Sequence, residues 1–109
     1  MITFDEFREL FQAIPGEPEF EIMFRDLKES YMIIKYSDHV SFQRCGMDTG
    51  SGEFDYQTLE ELYNTYSIDG ICLKERWDSI DLLEVNASFN LSCQQDIAEL
   101  RAIYKIEQG

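Results

Sequence analysis

Few residues in this chain have the chemistry to do more than pack or carry charge: one histidine, His39, and three cysteines, Cys45, Cys72 and Cys93. By composition they make a Cys3His set, the donor list of a structural zinc site. Zinc ligands come in close pairs, however, and here the cysteines lie 27 and 21 residues apart with no Cys-x-x-Cys pair. An odd number of widely spaced cysteines is not a disulfide framework either. Each therefore reads as a small hydrophobe in a reducing, cytoplasmic setting: Cys45 ends a strand pattern, Cys72 sits between Ile71 and Leu73, and Cys93 opens a helix. Nucleophilic catalysis needs a base beside Ser or Cys. His39 stands next to Asp38 in an apparent strand connection, and no triad can be assembled around it. The glycine-rich run Gly46–Gly52 has neither the Lys nor the spacing of a phosphate loop. As a calcium loop starting at Asp48 it puts glycines where oxygen ligands belong and Leu59 where a bidentate Glu should stand. The expectation is no enzyme, no metal and no cofactor.

Carboxylates are the one abundant functional group. Twenty-two Asp and Glu stand against nine Lys and Arg, for a net charge of −13 over 109 residues. They are unevenly spread: residues 30–52 are neutral, whereas residues 53–84 hold nine acids against Lys74 and Arg76. Such a chain repels nucleic acid, whose binding relies on Lys and Arg neutralising phosphates, and attracts a basic protein surface. Duplex DNA carries about one charge per 1.7 Å of axis. Carboxylates three or four apart on a helix lie about 5–6 Å from one another, so an acidic helical face can imitate a phosphate row. The candidate partner-binding residues are Asp55, Glu60, Glu61, Asp69, Glu75, Asp78, Asp81 and Glu84, drawn from the densest acidic stretch. Were the contact apolar instead, Tyr31, Tyr36 or Tyr56 would be candidate anchors.

With 44% hydrophobic and 14% aromatic residues, the charge does not signal disorder, and the length fits a single domain spanning 1–109. The longest apolar run is Tyr31–Ile34 and the N-terminus opens with an acidic amphipathic pattern, so neither a membrane span nor a signal peptide is expected. Thr3 and Glu6 form a capping box ahead of Phe4, Phe7, Leu10, Phe11 and Ile14 at helical spacing, which Pro15 and Gly16 end. The period then changes to two over Glu19–Arg25, and further strand patterns over Ser30–Tyr36 and Val40–Cys45 make a three-stranded antiparallel meander. Gly46–Gly52 reads as a flexible connector. Asp55 or Thr58 would cap a helix carrying Leu59, Leu62, Tyr63 and Tyr66 on one face and stopped by Ile68-Asp69-Gly70. A short helix over Ile71–Trp77, with a Lys74–Asp78 pair, precedes a strand over Ile80–Val85. Ser92 and Gln95 would then cap a last helix carrying Ile97, Leu100, Ile103 and Tyr104. The order α-β-β-β-α-α-β-α predicts an α+β domain, a small and mainly antiparallel sheet with helices on one face. Its expected core is Phe4, Phe7, Phe11, Phe20, Ile22, Phe24, Ile33, Phe42, Leu59, Leu62, Trp77, Leu82, Ile97 and Leu100.

Small size, strong acidity and this fold class together resemble the inhibitor proteins of phages and mobile elements, including anti-CRISPR and anti-restriction proteins of the DNA-mimic type. The stretch from Leu59-Glu60-Glu61-Leu62-Tyr63 through Ile68-Asp69-Gly70-Ile71-Cys72-Leu73-Lys74-Glu75-Arg76-Trp77-Asp78 is similar to uncharacterised proteins of Firmicutes phages and conjugative elements, over about 20 of the 109 residues. The resemblance brings no catalytic residue. It implies stoichiometric inhibition of a basic, nucleic-acid-handling protein such as a CRISPR nuclease. A toxin-neutralising immunity protein would share the same features, and so would an acidic housekeeping domain.

Overall fold

The computed structural model describes residues 2–45 and 53–106, so the expected connector Gly46–Gly52 lies outside the described residues. The first helix, α1 (Phe4–Ala13), starts at the capping box: Glu6 N–H donates to Thr3 Oγ1 at 3.2 Å and Thr3 N–H to Glu6 Oε1 at 3.1 Å. Phe7, Leu10 and Phe11 form its buried stripe. Its last turn has no basic residue of its own to complement the helix dipole. Lys35 supplies one from the sheet, with Nζ donating to the carbonyls of Phe11, Gln12 and Ile14 at 2.9, 3.3 and 2.8 Å.

Six strands follow, β1 (Glu19–Phe24), β2 (Ser30–Lys35), β3 (Val40–Arg44), β4 (Glu53–Tyr56), β5 (Ile80–Val85) and β6 (Phe89–Asn90). They form one antiparallel sheet in the order β4-β3-β2-β1-β5-β6. The expected meander is present, and so is the strand at Ile80–Val85. Two edge strands were not expected. The four residues of β4 alternate acid and aromatic as a strand should but run straight into the expected helix cap at Asp55 or Thr58, and β6 is too short to show a period.

The remaining helices are α2 (Leu59–Asn64), α3 (Leu73–Arg76) and α4 (Gln94–Ile103); a 3-10 turn at Ile68–Gly70 lies between α2 and α3, and another at Trp77–Ser79 leads from α3 into β5. Thr58 is the cap of α2, accepting from Glu61 N–H at 3.1 Å. The helix stops at Asn64, earlier than expected. There the Asn64 side-chain amide donates to Glu60 O at 2.8 Å and Thr65 Oγ1 to Glu61 O at 2.6 Å. Asn and Thr compete in this way with helical bonding. Tyr66 consequently leaves the apolar face and is 61% exposed. The cap of α4 falls on Cys93, one residue after the expected Ser92, and the Cys93 side chain makes no cap hydrogen bond; Ile103 is half exposed.

Register explains the core. Phe20 lies opposite Ile33 and Val85, Ile22 opposite Tyr31 and Leu83, and Ile33 opposite Phe42, so one face of the sheet is continuously apolar. The helices cover that face. Phe7 stands edge-on to Phe20 with ring centroids 5.1 Å apart, Phe4 stacks on Tyr63 at 3.6 Å, and the buried Trp77 donates its indole N–H to Ile2 O at 3.0 Å. Leu82 is not in this core. A bulge skips Asp81, because Met23 pairs with Leu82 but Phe24 pairs with Ile80, and the slip turns Leu82 outward while Ile80, Leu83 and Val85 point in. Phe4 lies at the core margin, half buried.

Candidate functional site

The apolar face of the sheet is used up by packing against the helices, which leaves the other face, among the described residues, as the one these helices do not cover. Its residues follow from register. One row across the strands reads Glu84, Glu21, Met32, Gln43, Glu53; the next reads Glu19, Ile34, Ser41, Asp55. Leu82 and Met23 continue the face beyond these rows. No outward position of the six strands is Lys or Arg. Met23, Met32 and Leu82 are half buried and Ile34 is buried among its neighbours, so apolar side chains lie among the carboxylates of this face, with Met32 and Ile34 of β2 between those of β1 and β4. A hollow of about 270 Å³ opens at the β1 side of this face, lined by Glu19, Glu21, Met32, Asn86 and Ala87.

At one end of the face sits the histidine. His39 Nδ1 lies 2.7 Å from Asp38 Oδ1 and Nε2 lies 4.0 Å from Asp55 Oδ1, with the ring stacked on Tyr36 at 4.6 Å between centroids. The hydrogen bond to Asp38 holds its pKa above the ordinary histidine value, helped by Asp55 and Glu53 and opposed by burial. The Tyr36 phenol is pushed up by burial and then by Glu53, Glu17, Glu19 and Asp55, whose fields converge on this end of the sheet.

The eight carboxylates singled out in the sequence do not form one surface. Asp55 and Glu84 point outward from the open face, on β4 and β5. Glu60 and Glu61 share the first turn of α2 in the helical layer, with Glu60 at 3.8 Å from Arg8 Nε. Glu75, on α3, accepts a short hydrogen bond from Tyr66. Asp78 sits in the following 3-10 turn, where its carbonyl accepts from Arg25 at 2.7 Å. Asp81 is exposed at the bulge. Asp69 is engaged internally: at a positive φ of 57° it accepts from the buried Tyr31 hydroxyl at 2.7 Å and lies 3.5 Å from Arg44 Nη1. Burial first, and then that bond, raise the Tyr31 pKa. With α2 only six residues long and α3 four, neither helix of the stretch from Glu53 to Glu84 is long enough to carry a row of phosphate-like charges. The carboxylates of the open face lying outside residues 53–84, Glu19 and Glu21, went unselected. Their signal was present as acids alternating with Phe20 and Ile22.

The tyrosine anchors need correction as well. Tyr31 and Tyr56 are core residues, and only Tyr36 is partly accessible; the large exposed hydrophobics are Phe54, Tyr66 and Ile103. The cysteines are free thiols, with Cys72 buried and burial pushing the Cys45 thiol up. Among the described residues no group of three or more His, Cys, Asp or Glu side chains is placed to hold a metal ion, and no helix is long and apolar enough to cross a membrane. Two clefts of about 390 Å³ each flank Phe4 and Tyr63, one bordered by Asp5, Arg8 and Glu60 and the other by Arg25, Lys74 and Asp78. No family model, curated protein or solved structure matches the chain.

Proposed function

We propose that the protein is a non-enzymatic acidic binding module that captures a basic, nucleic-acid-handling protein stoichiometrically and inhibits it, as the resemblance to inhibitors of CRISPR nucleases implies. One observation carries the reading: the molecule does little to neutralise its own charge. Six of the nine bases are engaged internally. Arg8, Arg44, Arg76 and Arg101 pair with Asp5 and Glu60, Asp69, Asp26 and Glu9 in turn. Arg25 and Lys35 donate to backbone carbonyls. The 22 acids outnumber the nine bases by thirteen, a surplus that pairing within the chain cannot remove, and the field it sums to attracts a basic surface and steers its approach.

The test is displacement. A basic nuclease of the CRISPR type, loaded with fluorescent duplex DNA, is titrated with the protein at low salt. Release of DNA that saturates at one equivalent is the expected result. If basic nucleases and basic toxins alike leave the protein unbound at about 50 mM salt, where charge attraction is strong, the reading is wrong.

A further inference from the structure

We infer that the open face of the sheet is the docking surface, and that its occupant is one basic amphipathic helix of the partner protein. The inference rests on the reading just given and names the surface that would perform it. Neighbouring strands lie about 4.8 Å apart, so the Glu19–Glu21 rim on β1 and the Glu53–Asp55 rim on β4 are separated by three strand spacings, about 14 Å. An α-helix with its side chains is about 10–12 Å across. Between the rims β2 supplies the apolar floor, Met32 and Ile34, while on β3 the fully buried Ser41 donates its hydroxyl to Glu53 at 3.1 Å and accepts from the Gln43 amide at 3.2 Å. A helix laid there would rest an apolar stripe on the floor and extend Lys or Arg to a carboxylate rim on either side. The hollow between Glu19, Glu21, Met32 and the Asn86–Ala87 turn is a seat for one such side chain: the aliphatic stem lies on Met32 and the cation between two carboxylates.

Charge decides between occupants. A second copy of this chain would bring carboxylate rims against carboxylate rims, and nucleic acid would bring phosphates to them; a basic helix meets opposite charge on both sides and apolar surface between. The floor itself suits an adaptable contact, because methionine repacks against varied side chains.

The experiment uses two synthetic 18-residue peptides of identical Leu and Lys composition, one with the leucines in a helical stripe flanked by lysines, the other with them scattered. Each is titrated into the isotope-labelled protein and followed by amide chemical shifts. The striped peptide is expected to bind about tenfold tighter or more, with shifts concentrated in β2, β3 and residues 19–21. Met32→Glu separates floor from field: it adds a negative charge, so attraction by charge alone would tighten binding, whereas loss of the floor should weaken the striped peptide about tenfold. Should that variant fail to fold, the wild-type shift map and the comparison of the two peptides still decide. Equal binding of both peptides, or shifts confined to α2 and α3, would overturn the docking face while leaving capture of basic proteins intact. No binding of either peptide at low salt would remove both.

Discussion

The two faces of the sheet are made by the same strands and obey different rules. Inward, Phe20, Ile22, Ile33, Phe42 and Leu83 are fully buried in one core, where Phe20 packs against Phe7 and Phe11 of α1. Outward, Glu21 stands directly opposite Glu84, a like-charge cross-strand pair that costs stability, beside methionines left half exposed. Stability accounts for the first composition and opposes the second. A face that retains a cost of this kind is the natural place to look for function, since working surfaces commonly trade stability for what they bind.

Substitutions on the two faces should therefore differ in size and sign. The largest effect is expected from Phe20→Ala, which opens a cavity beneath α1 next to Phe7 and Phe11. It should lose about 3–5 kcal/mol in denaturant unfolding, a large share of the stability of a domain this size. The outward neighbour Met23→Ala should cost under about 1 kcal/mol, and equal losses at the two sites would erase the contrast. Lys35→Met comes next. It removes the cation from three carbonyls at the end of α1 and should cost about 1–2 kcal/mol, with faster amide exchange confined to the last turn of that helix. Glu84→Lys should reverse the sign. Replacing a like-charge pair by an opposite one is worth a few tenths of a kcal/mol, about 0.2–0.5, in added stability, and the same change should weaken partner binding.

Smallest is the pH response. The raised pKa of His39 gives a stabilising contribution that is complete below the unfolded value of about 6.5 and is lost as pH rises through the higher folded value. Glu6, bonded by Thr3, and Asp26, bonded by Arg76, have lowered pKa values. Their contributions are present above the ordinary carboxylate range and are lost as pH falls through the folded values. Melting temperature should thus decline slightly on going from mildly acidic to mildly alkaline pH, and His39→Gln should flatten that limb alone.

The inward face was legible in the sequence because burial imposes a period: Phe20, Ile22 and Phe24 alternate, Phe7, Leu10 and Phe11 recur at helical spacing, and Thr3 with Glu6 marks a start. Leu82 defeated that reading since a bulge is set by pairing with β1, which a strand's own residues do not record. The site was less legible. The densest acidic stretch is contiguous in sequence, but the chain from Glu53 to Glu84 passes from a sheet edge through α2 and α3 and back to a strand, scattering its carboxylates over both layers. Glu19 and Glu21 share a face with Glu53 and Asp55 only through strand order, a long-range fact that no local pattern carries.

The most direct test of the central claim is the salt dependence of the association rate with a basic partner, for wild type and two charge-reversed variants. One variant carries Glu19→Lys, Glu21→Lys and Glu84→Lys on the open face; the other carries Glu60→Lys, Glu61→Lys and Asp78→Lys in the helical layer. Wild type should associate fast and slow steeply as salt rises, the open-face variant should lose most of both the rate and the slope, and the helical-layer variant should keep the greater part. A rate and slope unchanged in both variants would contradict the account, because the unneutralised charge would then play no part in binding.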